Sequence, residues 1–182
     1  TTTSAWCCCA RSTTRRSVAG VGSTGPGART VELTLDLAAV YPQIFDAGFY
    51  ADVADLQQAL GFTCTVHLPL LWLDLASLNE ELRQASVGCV RRTVEVTQPL
   101  DVRTYTLHLW GMTTIQILAL LEHPAQREAI LGGVLAQAGR SLAEVCAFLE
   151  PRDVCVENLE APPFEAVLPL GARAGGSICL DV

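Results

Sequence analysis

The stretch "CTVHLPL", residues 64–70, puts a histidine at the outgoing end of an apolar, β-rich run. Side chains alternate along a strand, so Thr65 and His67 share one face while Val66 and Leu68 take the other. The same order of small, aliphatic and metal-capable residue returns in "TYTLHLW" (104–110), "DVCVENL" (153–159) and "SICLDV" (177–182). Thr106 with His108, Cys155 with Glu157, and Cys179 with Asp181 repeat the pairing of Thr65 with His67. A further run, "TVELTLDL" (30–37), precedes them. Helix-like text fills the gaps at 51–60, 78–97, 125–138 and 141–149, with a short piece at 164–170. In 78–97 a stripe of Leu78, Leu82, Ala85, Val87, Cys89, Val90 and Val94 approximates the helical period. Gly61 reads as a helix stop, and Ser141 with Glu144 reads as a capping box opening the fourth helix.

Strands alternating with helices imply βαβ units and a parallel sheet. Repeats of this size suit an open doubly wound sheet or a (β/α)₈ barrel. No G-x-G-x-x-G follows any strand, which leaves the dinucleotide-binding version unsupported. In a barrel, Val66, Leu107, Val156 and Leu180 would pack outward against helices and the small residues would fill an inner layer. His67, His108, Glu157 and Asp181 would then meet at the C-terminal mouth. Taken singly, a strand-end histidine is ordinarily a rim or core residue, and a strand-end aspartate an N-cap. Four at matching positions on successive strands point instead to a shared site, since a buried carboxylate is costly unless paired or bound to metal. Two imidazoles and two carboxylates suit Zn²⁺, Mn²⁺ or Fe²⁺ better than Ca²⁺ or an all-oxygen Mg²⁺ site.

Composition narrows the functions further. The 182 residues carry a net charge of −7, which argues against affinity built on nucleic-acid phosphates. All 12 basic residues are arginine, and without lysine neither a Schiff base nor a Walker-type phosphate loop can form. No uninterrupted apolar run reaches the roughly 18 residues of a membrane span. The eight cysteines form no C-x-x-C pair and sit mostly in apolar runs, as buried small hydrophobes do in a reducing cytoplasm. Residues 1–29 differ in kind: four arginines and no acid among Ser, Thr and Gly mark a disordered or atypical leader, with "SVAGVGS" a weak first strand.

The motifs "TVHLPL", "YTLHLW", "VCVENL" and "ICLDV" resemble consecutive strand ends of the xylose-isomerase-like TIM barrel superfamily. That group holds sugar and sugar-phosphate isomerases and epimerases together with endonuclease-IV-type phosphodiesterases. The resemblance implies an α/β fold over 30–182, an incomplete (β/α)₈ TIM barrel with about five to six of its eight units. In the superfamily the last motif continues as Asp-x-Gly-His, and two more strands bring a His and a Glu to the metal. A truncated barrel is therefore expected. The resemblance also implies a divalent metal (Zn, Mn or Mg) held by Glu157, Asp181, His67 and His108. Glu157 and His108 would be catalytic, and His67, Asn158 and Trp110 would contact substrate. Glu32 resembles an acidic residue often found on the second strand.

Other residues have plainer readings. His123 before Pro124 suits a helix cap. Asp74 suits a turn or cap, with substrate contact as the alternative. Arg91 and Arg92 belong on a solvated helix face; Arg83 reads the same way unless it faces the mouth and clamps a phosphate. Trp72 and Trp110 follow their strands and offer either a stacking surface or core packing.

The implied activity is metal-dependent isomerisation or epimerisation of a small sugar or sugar phosphate in the cytoplasm. One alternative is hydrolysis of a small phosphodiester, because "HLPL", "LDLAS" and "TQPL" resemble phosphodiesterases that remodel the nucleotide loop of cobamides. Another is an inactive barrel fragment whose open sheet edge favours oligomers or aggregation.

Overall fold

A computed structural model describes residues 17–18, 21–22, 30–36, 45–158 and 164–180. Strands β3 (Thr30–Thr34), β4 (Thr63–His67), β5 (Val102–Leu107), β6 (Val154–Glu157) and β7 (Ser177–Cys179) lie side by side in sequence order, every pair parallel. A doubly wound sheet reverses its strand order at a switch point; this one runs in a single direction, as barrels do. The segment expected to supply a weak first strand behaves differently. Two short strands, β1 (Ser17–Val18) and β2 (Val21–Gly22), form an antiparallel hairpin, and β2 pairs antiparallel with β3. This hairpin edges the sheet and is not a parallel barrel strand.

The register carries the barrel's shear. Thr34 stands level with His67, but His67 stands level with Thr106, two residues short of His108. Thr106 is level with Cys155, and Glu157 is level with Cys179, two residues short of Asp181. Motif positions thus slip by two residues at alternate interfaces, the mean of about one per strand expected of an eight-stranded barrel with shear 8. A bulge between Cys64 and Thr65 accompanies the first slip. The strand-end residues therefore climb around the wall and do not form the level ring that aligning the motifs suggests.

Helices cover the outward face. They are α1 (Ala47–Leu60), α2 (Glu80–Thr97), α3 (Met112–Leu120), α4 (Pro124–Val145) and α5 (Phe164–Ala174). Asp46 caps α1, accepting from the Gly48 amide, and Gly61 ends it in the left-handed conformation (φ 67°) as its sequence position indicated. Asn79 caps α2 through the amides of Glu81 and Leu82. Cys64 and Val66, Tyr105 and Leu107, and Val154 and Val156 are buried in one apolar core with Val87, Val90 and Val94 of α2 and Val134, Ala138, Leu142 and Val145 of α4. Each fully buried aliphatic side chain contributes roughly 1.5–3 kcal/mol. On β4 the alternation is visible directly: Cys64 and Val66 are buried, Thr63, Thr65 and His67 only partly so.

Three sequence expectations change here. First, α4 is one continuous helix through Arg140 and Ser141, so no capping box opens at Ser141. The Ser141 hydroxyl instead donates to the Leu75 carbonyl (2.6 Å) and accepts from Arg83 Nη1 (2.9 Å). Second, the buried stripe of α2 is Arg83, Ser86, Val87, Val90, Thr93, Val94 and Thr97, while Leu78 and Leu82 are exposed. Arg83 is fully buried because Glu80 (2.7 Å) and Glu144 (2.8 Å) neutralise its guanidinium, so it is neither solvated nor free to clamp a phosphate. Third, α3 is an additional helix that the periodicity did not announce, because "MTTIQILAL" is apolar on most sides.

Candidate metal centre

Each parallel strand of a barrel delivers its last inward side chain to the C-terminal mouth. His67 ends β4, Glu157 ends β6, and His108 follows β5 by one residue, so three neighbouring strands feed one point. The two-residue stagger raises His108 to the level of Glu157, while the His67 imidazole reaches the same point from two residues lower. Nε2 of His67 lies 3.0 Å from Nε2 of His108. Glu157 Oε2 is 3.0 Å from the His108 nitrogen and 3.4 Å from that of His67. The side chains are 4 % (His108), 9 % (Glu157) and 16 % (His67) exposed, so the cluster is largely shielded from solvent.

These neighbours set the charge states. Hydrogen bonds from His108 and then His67 hold the Glu157 carboxyl down at about 2, outweighing the opposing effect of burial. Burial works against charging His67, yet the Glu157 hydrogen bond and the charges of Asp36, Glu32 and Glu157 together raise its pKa. Nδ1 of His67 faces two oxygens, the Leu68 carbonyl at 3.1 Å and Asp36 Oδ2 at 3.4 Å. The charged ring thus donates from both nitrogens, toward Glu157 through Nε2, whereas in the neutral ring the proton belongs on Nδ1, which leaves a lone pair on Nε2. His108 Nε2–H then donates into the gap shared by His67 and Glu157. Its Nδ1 is buried without a hydrogen-bond partner among the described residues.

Three donor atoms within 4.8 Å of one another fit a cation chemically. Ligands bonded at about 2.0–2.1 Å to one ion stand about 3.0–3.4 Å apart across the edges of octahedral or tetrahedral sites, and the separations here are 3.0, 3.0 and 3.4 Å. Two imidazoles with one carboxylate match the donor preferences of Zn²⁺ and Mn²⁺ better than those of Ca²⁺.

The remaining sequence candidates divide clearly. Asp181 lies outside the described residues. Asn158 follows Glu157, and its backbone amide donates to the Cys179 carbonyl (3.1 Å). Trp110 does not stand open at the mouth: it is 1 % exposed and belongs to the core, because residues 109–110 turn inward before α3. Trp72 is its opposite, 71 % exposed and held at φ 64°. Asp74 is a structural cap, accepting from the Gly111 amide (3.1 Å) and the Thr114 hydroxyl (2.6 Å) at the start of α3. His123 sits at the N-cap position of α4 without a side-chain hydrogen bond there. Sequence reasoning passed over Asp36, which it absorbed into the run 30–37. The signal was present, for Glu32, Thr34 and Asp36 alternate onto the inward face just as Thr65 and His67 do.

Among solved structures the chain is similar to a D-tagatose 3-epimerase-like protein, with 20 % identity and a TM-score of 0.55 over 78 % of this chain and 51 % of that one. It is also similar to the TTHB071 protein from Thermus thermophilus in a structure soaked with ZnCl₂, with 21 % identity and a TM-score of 0.50 over 82 % and 56 %. No protein-family model and no curated protein matches the chain. The chain thus spans a little over half the length of the solved structures it resembles. At these identities the likeness is one of fold. That fold is a parallel α/β barrel of the TIM type, present here as an incomplete arc of βα units.

Proposed function

We propose that the chain carries part of the active site of a divalent-metal-dependent sugar or sugar-phosphate isomerase or epimerase. The observation that supports this reading is the meeting of His67, His108 and Glu157 at one point on the C-terminal side of the sheet. The epimerase-like solved structure supports the substrate class by analogy of fold. A divalent ion bound there would supply Lewis-acid polarisation of a carbonyl and its neighbouring hydroxyl. Glu157, kept ionised far below neutrality, is a firm donor to a cation. Proton transfer at the carbon beside the carbonyl would fall to Glu157 through the carboxylate oxygen not bound to the ion, or to His108 where its Nε2 does not bind the ion. Among the described residues, Asn158 and the exposed indole of Trp72 would orient substrate. Asp181 joins these ligands in this reading.

The test is exchange in D₂O. With Mn²⁺ or Mg²⁺ and a panel of ketoses and ketose phosphates, deuterium should enter at the carbon next to the carbonyl, and His108→Gln should abolish it. No exchange with any member of the panel would count against isomerisation. Metal-assisted cleavage of a small phosphodiester, such as a cobamide nucleotide loop, is the second reading. It is favoured by two imidazoles sharing one focus with a carboxylate. Two or three zinc ions per chain, with hydrolysis of a generic phosphodiester, would favour it over isomerisation; one Mn²⁺ or Mg²⁺ would not.

A further inference from the structure

We infer that Asp36 is a positioning residue, one carboxylate that both orients the His67 imidazole toward the metal centre and anchors the turn rising from the mouth beyond it. This rests on the metal-site reading above and assigns a role to a residue outside the donor cluster. Its two oxygens serve different partners. Oδ2 lies 3.4 Å from His67 Nδ1, and Oδ1 accepts the Leu70 backbone amide at 2.6 Å. Both side chains are mostly shielded, 19 % exposed for Asp36 and 16 % for His67, so solvent screens the contact only partly.

The geometry explains why an acid occupies this place. Asp36 follows β3 by two residues, and Thr34 of β3 is level with His67. The Leu35 amide donates to the His67 carbonyl (3.1 Å), which extends the pairing and brings residue 36 over the end of β4. Nδ1 faces the Leu68 carbonyl oxygen at 3.1 Å and this anion at 3.4 Å; together they keep the proton there, and the negative charge of Asp36 makes the Nε2 lone pair, directed at the metal position, more basic. Carboxylates behind ligating histidines act in this way, and their loss ordinarily costs about 10–100-fold in metal affinity. The Leu70 arm has a separate consequence. The turn over residues 70–73 is held at its start by Asp36 and beyond its end by the Asp74 amide on Ser86 Oγ (2.9 Å). Between these ties stands Trp72, exposed and in the left-handed conformation that non-glycine residues seldom adopt. Asp36 thereby links a metal-centre histidine to the turn that presents this indole.

Two variants of the full chain separate the arms. Asp36→Asn keeps an acceptor for the Leu70 amide and removes the charge opposite Nδ1; Asp36→Ala removes both. Affinity for Zn²⁺ alone, measured by competition with a chromogenic chelator, should fall about 10–100-fold in Asp36→Asn. Wild-type affinity in Asp36→Asn, with a loss confined to Asp36→Ala, would make Asp36 a loop anchor only and overturn the proposal. The second readout needs neither metal nor variant. Long-range ¹H–¹⁵N spectra of metal-free wild-type protein, at a pH where the ring is neutral, should show His67 as the Nδ1–H tautomer. An Nε2–H tautomer would overturn the proposal even if the variants failed to fold. Should wild-type protein bind no Zn²⁺, the metal-site reading falls, and the role of Asp36 is decided by the same spectra in Asp36→Asn: a loss or weakening of the Nδ1–H form is expected, and an unchanged tautomer population would overturn the proposal.

Discussion

At the scale of single residues, His67, His108 and Glu157 show how a mouth-facing position changes the worth of a side chain. Glu157 would be expensive alone under 9 % exposure, and two imidazoles supply what the missing water would have given. Replacing it by glutamine keeps the shape but removes the charge and half the acceptor capacity. Glu157→Gln should lower Zn²⁺ affinity by roughly 100-fold or more, because ligation needs a deprotonated oxygen donor. Isothermal titration of both proteins checks this, and unchanged affinity would remove Glu157 from the site. The same scale shows what was legible in sequence. His67, His108 and Glu157 were readable because strand alternation fixes the face, whereas the contact of Asp36 with His67 depends on how far the chain runs past β3.

At the scale of elements, two devices hold the frame around the site. Gly111, at the N-cap of α3, brings its backbone against the loop after β4. A Cβ there would run into the Leu73 carbonyl oxygen and lie 2.6 Å from Asp74 Cβ. Gly111→Ala should therefore destabilise the fold by about 1–3 kcal/mol, the usual cost of overpacking, and displace the Asp74 cap. Urea unfolding would measure the loss, and a neutral result would mean that the loop yields freely. The second device is the Arg83 pin between α2 and α4, with Glu80, Glu144 and Ser141 around a buried guanidinium. Arg83→Ala should cost roughly 2–3 kcal/mol through lost charged hydrogen bonds and lost packing of the long stem.

The Arg83 pin also has a pH signature. Hydrogen bonds from Arg83, and next from Gln84, lower the Glu80 pKa from 4.5 to about 2. A depressed carboxyl stabilises the native state above its unfolded pKa, so the Glu80 contribution is complete above about pH 4.5 and fades as pH falls toward 2. The stability gap between wild type and Glu80→Gln should close over that window; a constant gap would contradict the pairing. None of this was readable beforehand, because an arginine on a helix gives no sign of its burial until the facing helix is placed.

At the scale of the molecule, the staggered arc lets residues from distant parts of the sequence converge, and binding at that point should stabilise the whole. Zn²⁺ at 100 times its dissociation constant adds about 2.7 kcal/mol to a site formed only in the folded state. For a chain of this size that corresponds to a rise of about 5–10 °C in melting temperature. Differential scanning fluorimetry should show the rise in wild type, its reversal by chelator and its absence in Glu157→Gln. A metal-independent melting temperature would contradict a native-state site. Among the described residues no helix is long and apolar enough to cross a membrane. Large apolar side chains nevertheless stand exposed at Leu60, Leu120 and Trp72.

The sequence by itself determined the parallel βα order, the inward face of each strand and the strand-end positions of His67, His108 and Glu157. Those follow from local rules, namely a side-chain period of two along strands and the alternation of strand and helix text. Only the tertiary structure decided the two-residue climb of the donors around the wall, the burial of Arg83 and Trp110, the unbroken α4 and the place of Asp36 behind His67. Each of these depends on which surfaces face one another, and the shear between strands, which sets those meetings, leaves no mark in any single segment of the chain.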